Sequence, residues 1–221
     1  MIDIGANVGN YTVLAATLAG AGGHVYAFEP APQNAERLRQ RCAGLTNVSV
    51  FEKAVGERRR NVRLFLDADN DAQHSLGSRN VGRAGGSLKV RQIALDELET
   101  LDRIDLIKID AQGAELGIVE GARKLLERCH PLIVLEFWPY GMRKLGTEPE
   151  ALLEALKGLG YDVFPLSKSG RARNPDRVRT FLTETNTSRW YKLDVVALPK
   201  RRVSTVARVL ALIRGRVPAS K

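Results

Sequence analysis

The sequence predicts an α/β fold, a doubly wound, mostly parallel sheet with helices on both faces. Three observations predict it. Short apolar runs alternate with helical patterns along the chain. Two of these runs, LIKI and LIVLEF, are almost wholly apolar, as expected for central strands buried on both sides. A glycine loop with an acid in front of it, DIGANVG, joins the first run to the first helix.

The elements follow in order. MIDI opens the chain and leads into VGNYTVLAATLAG, a helix. HVYAFE is the second strand and PQNAERLRQRC the second helix, followed by the strand VSVFE. DLIKID then precedes a helix over 114–126, with Leu116, Val119, Ala122 and Leu126 on one face at helical spacing. PLIVLEF, the helix PEALLEALKGLG, and the strands YDVFPL and DVVAL complete the alternation. Residues 67–88 are polar, glycine-rich and aperiodic, which suits a functional lid or a disordered loop. A second irregular stretch covers 167–179.

A chain of 221 residues with 44% hydrophobic content suits one domain, here 1–199, followed by a tail over 200–221. There is no basic leader followed by an apolar run, and no apolar stretch of 18 residues, so a cytoplasmic protein without a spanning helix is expected. Cys42 and Cys129 lie in no CxxC pair or Cys/His cluster; they are read as free thiols, and no metal site is predicted. The net charge is +9, but seven of those charges fall in residues 200–221, which hold no acid. A core that binds nucleic acid should carry its own basic face, so nucleic acid is not the expected partner. Val203, Val206, Leu210 and Ile213 line one side of a helical reading of 203–214, and such a basic segment can rest on the inner membrane surface. A solvated end is the competing reading.

Three constellations carry chemistry. In the first, Asp3, Gly5, Asn7 and Gly9 join a strand end to a helix start. Glycines let backbone approach a ligand closely, Asn tolerates a left-handed position, and the helix turns its free N–H groups toward the loop. The spacing is GxxxG, not the GxGxxG of a nicotinamide site. In the second, Glu29 ends the second strand, 20 residues after Gly9, where an acid accepts hydrogen bonds from ribose hydroxyls. Together they describe an adenosine ligand with an amino acid end and no phosphates, which S-adenosylmethionine fits. The third is LIKIDAQGAE. Lys108 and Asp110 share a strand face, and a Lys inside an apolar strand requires a nearby carboxylate. Glu115 falls in a first helical turn, where an acid is favoured for structural reasons alone.

DIGANVGNYT, FEP and LIKIDAQGAELGIVEGA, in this order, resemble the FkbM family of S-adenosylmethionine-dependent methyltransferases. HSL at 74–76, ALDEL at 94–98 and LEF at 135–137 add to the likeness, which covers roughly residues 1–199. The resemblance implies the class I methyltransferase fold, Rossmann-like, with seven strands and an antiparallel last strand. It implies that Asp3, Gly5, Asn7 and Gly9 line the methionine end of the cofactor, that Glu29 holds the ribose, and that 50–55 borders the adenine. Asp110, Gly113 and Glu115 match its KIDVEGAE pattern, in which Gln112 replaces the usual first Glu. An amide there donates and accepts hydrogen bonds but does no acid-base chemistry.

O-methylation of a hydroxyl on a sugar, glycolipid or secondary metabolite is the expected reaction. An alcohol acceptor must lose a proton, and Asp110, Glu115, Glu136 and His74 are the candidate bases. Glu136 is read alternatively as the structural partner of Lys108. A cofactor-binding module with lost catalysis, suggested by Gln112, is the second reading and an RNA methyltransferase the third. Only Met1 and Ile2 precede Asp3, so the first strand is expected to be short and weakly anchored, as in a shortened chain or one whose start is placed late, with a wall missing on the substrate side.

Overall fold

The computed structural model describes residues 1–70, 73–78, 80–98, 101–167, 178, 181–182 and 192–200. Most of the irregular stretch 167–179 and the amphipathic reading of 203–214 lie outside them.

The main sheet has seven strands: β1 (Ile2–Ile4), β2 (Val25–Phe28), β3 (Val48–Phe51), β7 (Leu106–Ile109), β8 (Leu132–Phe137), β9 (Tyr161–Pro165) and β10 (Leu193–Pro199). Their order is β3-β2-β1-β7-β8-β10-β9, and β10 runs antiparallel to both its neighbours. Every one of the seven apolar runs read from the sequence is one of these strands. Strand order reverses between β1 and β7, and a doubly wound sheet opens its ligand crevice at such a point.

Period-two alternation divides the side chains between two faces. Ile2, Ile4, Ile107, Ile109, Ile133 and Leu135 join the main core with Ile118, Val119, Leu125 and Leu126 from α3 (Glu115–Glu120) and α4 (Arg123–Cys129). A smaller core on Ala27 holds Leu38 and Cys42 of α2 (Pro32–Cys42), with Val13 of α1 (Asn10–Ala19) packed against it. Both cysteines are free and buried. Proline at the first position and arginines in the last turn favour α2, because the missing N–H is unpaired there anyway and the cations face the negative helix end. Two further helices are α5 (Pro139–Lys144) and α6 (Pro149–Gly158).

Several expectations are corrected. β1 is short but firmly held: its three residues are buried, it pairs with β2 and β7, and the Met1 ammonium donates to the His24 carbonyl at 2.7 Å. Among the described residues, nothing covers the second face of β7 and β8 fully. Leu106, Lys108, Leu132, Val134 and Glu136 are only half-buried, and most of them border an open groove beside α1. The predicted helix over 114–126 breaks near Gly121, because the distant Asp96 carboxylate accepts the N–H groups of Lys124 (3.0 Å) and Leu125 (2.9 Å) and starts α4 afresh.

The segment read as an aperiodic loop is mostly outside strands among the described residues, but its two ends, Asp67 and residues 84–88, belong to a second sheet. β4 (Ala54–Val55), β5 (Arg60–Asp67) and β6 (Ala84–Ile93) form it in the order β4-β6-β5. Between β5 and β6, Asp67 accepts backbone N–H groups from Asp69, Asn70 and Gly82, and Phe65 and Ser75 exchange backbone hydrogen bonds. Such side-chain-to-backbone closure lets polar, glycine-rich sequence adopt one structure without hydrophobic periodicity.

Candidate active site

The C-terminal ends of β1, β2 and β7 surround a narrow cleft of about 80 Å³. Gly5 and Asn7 form one edge, Glu29 and Pro30 the next, and Lys53, Ala54 and Val55 the third. His74, Ser75, Asp110 and Gln112 close it. Asp110 also lines the groove beside α1, of about 1260 Å³, together with Tyr11, Leu14, Leu18, Lys108 and Glu136. One carboxylate therefore belongs to both spaces.

The loop after β1 has its backbone in the left-handed region at Gly5 (φ 72°), Asn7 (φ 49°) and Gly9 (φ 89°). It is held from outside. Gly5 and Ala6 donate their N–H groups to the Phe28 carbonyl at 3.0 Å, and Lys108 Nζ donates to the Gly5 carbonyl at 2.8 Å. Asp3 is fully buried beneath the loop. Its Oδ2 accepts from Thr12 Oγ1 at 2.7 Å, and its Oδ1 lies 3.3 Å from Lys108 Nζ. Asp3 and Gly9 thus border neither cavity; they fix the loop, whereas Gly5 and Asn7 face the cleft. Lys108 finds its carboxylates in Asp3 and, at 4.0 Å, in Asp110 rather than in Glu136.

Glu29 is 5% exposed. Oε1 accepts the Ala31 N–H at 2.9 Å and Oε2 the Asn7 N–H at 2.8 Å. Each oxygen keeps further lone pairs. Burial pushes its pKa up to about 7 despite those two bonds. Asn7 Oδ1 is buried and accepts no hydrogen bond among the described residues. An unmet acceptor beside a carboxylate and a left-handed loop is a site prepared for a ligand with hydroxyl or amino donors.

The four candidate bases separate. Glu115 is fully buried and borders neither the cleft nor the groove; its Oε1 accepts the N–H groups of Gly113 (3.0 Å) and Ala111 (3.3 Å). It braces the turn after β7 and faces neither space, which counts against its reading as a base. His74 borders the cleft, with Nδ1 accepting the Asp67 N–H at 3.1 Å. A neutral ring so bonded carries its proton on Nε2, where it donates rather than accepts. Asp110 and Glu136 remain, both on the groove. Burial, then the neighbouring Asp110 charge, pushes the Glu136 pKa up, while Lys192 opposes the rise.

Gln112, at φ 51°, ties these groups together. Its carbonyl accepts from Ser75 Oγ (3.0 Å) and Asn80 Nδ2 (2.9 Å), so the arm between β5 and β6 is fastened to the turn after β7. Its side-chain Nε2 donates to Asp110 Oδ1 at 2.7 Å. Asn80 and Lys192 carry no sequence signal for this role, and Ser75 is marked only as part of HSL; the chain's closure brings them here.

The two buried acids make a testable contribution to stability. The pKa values of Glu29 and Glu115 each rise from 4.5 to about 7, so the folded chain holds protons that the unfolded chain has released between those pH values. Each lowers stability as pH rises from about 4.5 to 7, by on the order of 3 kcal/mol when fully ionised. Urea unfolding of the native chain and of Glu115→Gln, at pH 5 and pH 8, should show the native chain losing more stability than the variant over that interval. Parallel losses would refute the assignment for Glu115.

A family model described as "Methyltransferase FkbM domain" matches residues 3–163. The 2-O-methyltransferase NoeI of Sinorhizobium fredii is 27% identical over 144 residues, 58% of this chain and 59% of that protein. The crystal structure of methyltransferase FkbM from Methylobacillus flagellatus KT superposes with a TM-score of 0.54 at 17% identity, over 89% of this chain and 42% of that one. The chain therefore spans about half the length of these relatives. Among the described residues, no helix is long and apolar enough to cross a membrane.

Proposed function

This chain belongs to the methyltransferase FkbM domain family, and from that premise we propose that it transfers the methyl group of S-adenosylmethionine to a hydroxyl of a sugar, glycolipid or secondary metabolite. The observation that carries the reading is the cleft at the strand-order reversal, where Glu29 and the unmet Asn7 Oδ1 lie together beside a left-handed glycine loop of GxxxG spacing.

The residues present fit the cofactor. Glu29 has lone pairs left for a ribose diol, Asn7 Oδ1 offers an acceptor for an amino or hydroxyl donor, and Lys53, Ala54 and Val55 form a wall for the base. When bound, the sulfonium supplies an electrophilic methyl group that needs no covalent help from the protein. The chain must orient the acceptor and take its proton. Asp110 sits where the groove meets the cleft and Glu136 lines the groove, and either carboxylate accepts a hydroxyl proton within hydrogen-bond reach. The groove is larger than most small-molecule pockets, which run to roughly 1,000 Å³. It mixes Tyr11, Leu14 and Leu18 with charged groups, which favours an acceptor with an apolar portion beside its hydroxyl.

Calorimetry with S-adenosylhomocysteine, followed by incubation with methyl-labelled cofactor and a panel of glycans and glycolipids, tests the reading. Binding of the cofactor product and label transfer to a hydroxyl-bearing acceptor are expected. Absence of binding would overturn the proposal at its root, and binding without transfer to any acceptor would favour a module that has lost catalysis.

A further inference from the structure

We propose that Lys192 is a positioning residue for the reaction: its ammonium, clamped between Glu136 and Gln112, keeps Glu136 an ionised, aimed carboxylate that receives the acceptor's proton. The inference rests on the function proposed above.

The register of β10 delivers Lys192 to this place. Leu193 lies opposite Phe137 and Asp194 opposite Glu136 in the antiparallel pair, so the residue before β10 falls beside Trp138. There Lys192 Nζ donates to Glu136 Oε2 at 2.7 Å and to Gln112 Oε1 at 2.8 Å, and stands 4.6 Å from the centre of the Trp138 ring. An ammonium has three donors and no acceptor, so two short bonds and an aromatic face nearly exhaust it.

The same ammonium sets the orientation of Gln112. With Oε1 turned to Lys192, Nε2 faces Asp110 Oδ1 at 2.7 Å and Glu136 Oε2 at 3.3 Å. The reversed amide would set its oxygen against two carboxylates and its nitrogen against a cation. Gln112 is thus a neutral bridge between two acids, each with its own lysine: Lys108 lies 4.0 Å from Asp110, and Lys192 lies 2.7 Å from Glu136. A glutamate at 112 would add a third negative charge to this group. Both bonds to Glu136 fall on Oε2, and among the described residues Oε1 accepts none, which leaves it for an acceptor hydroxyl in the groove.

Among the described residues, the charged groups facing Glu136 are Lys108 from β7 and Asp110 just after it, Glu115 from α3, Asp194 from β10, and Lys192. The acids and burial raise its pKa, and Lys192 is the directly bonded cation that lowers it. Without Lys192 the balance shifts further toward the protonated carboxyl, which cannot accept a proton.

The test needs no known acceptor. The full chain is labelled with ¹³C-carboxyl glutamate, the Glu136 resonance is identified by its loss in Glu136→Gln, and its titration midpoint is followed by NMR. Lys192→Met should raise the midpoint by about one pH unit or more, since an opposite charge at this range lowers a carboxyl pKa by about 1–3 units. Lys192→Arg should leave the midpoint near the native one. Lys192→Gln, which keeps length and polarity, serves if the methionine variant does not fold, and the same rise is expected. With an acceptor in hand, the acid limb of the kcat profile should move with the midpoint. An unchanged midpoint in a folded, charge-removed variant would overturn the proposal and reduce Lys192 to packing. Calorimetry with S-adenosylhomocysteine on the native chain separates the two readings, since loss of binding there strikes the proposed function and not the Lys192–Glu136 coupling.

Discussion

A Gly5→Ala chain is expected to lose roughly 2–5 kcal/mol of folding stability, and with it the cleft. Two costs combine. Gly5 has φ 72°, a region where a Cβ is penalised by about 1–2 kcal/mol. A Cβ there would also lie 1.9 Å from the Asp110 carbonyl oxygen, which is backbone and cannot swing aside. Relief requires the ends of β1 and β7 to part, which breaks the Asp110 N–H bond to the Ile4 carbonyl and spreads the switch point. A domain is stable by only about 5–15 kcal/mol, so this one methyl group threatens the fold. A left-handed glycine without a close neighbour is the control. Gly146 serves in that role, at φ 80° in a left-handed helix cap: nothing lies within 4 Å of an added Cβ, so Gly146→Ala should lose only the conformational part. Urea midpoints decide: equal losses in the two variants would show that the close approach of β1 to β7 does not matter.

Glu29→Gln should weaken S-adenosylhomocysteine binding by about 10- to 100-fold while leaving the chain folded. Hydrogen bonds to a charged group contribute about 1.5–3 kcal/mol, and each 1.4 kcal/mol is tenfold in affinity. The amide also has one acceptor where the carboxylate has two, and both oxygens already hold the N–H groups of Asn7 and Ala31. The pH dependence has a definite sign. With the free carboxyl titrating at about 7, ligand donors favour the ionised form, so affinity should rise through pH 7 and level off above it. In Glu29→Gln this dependence should vanish. A variant whose affinity follows the native pH curve would remove Glu29 from the ribose assignment.

The strands were legible because a buried strand must be apolar, whatever it packs on. Each of the seven runs therefore reads as a strand, and the acids and glycines at their ends mark the crevice. Asn7 and Gln112 show the limit of such reading. The left-handed conformation of Asn7 follows from its place in a glycine loop, whereas that of Gln112 (φ 51°) has no local cue. The side sheet was hidden because β6 begins AGGSL, a sequence without alternation, and is stabilised by pairing with β4 and β5 rather than by its own pattern. Glu115 illustrates the opposite error: its type and position suit a base, but burial and two backbone N–H groups use it to brace a turn.

By itself the sequence determined the α/β class, the strand order's parallel core and the stretch that resembles the family, since these depend on hydrophobic period and on local turn chemistry. Tertiary structure alone decided which charged groups meet. Lys108 joins Asp3 and Asp110, Lys192 joins Glu136 and Gln112, and Asp96 starts a helix 28 residues away from it. The physical reason is that an ion pair is set by distances of a few ångströms between residues far apart in sequence. Those distances depend on strand register and chain closure, which no local pattern encodes.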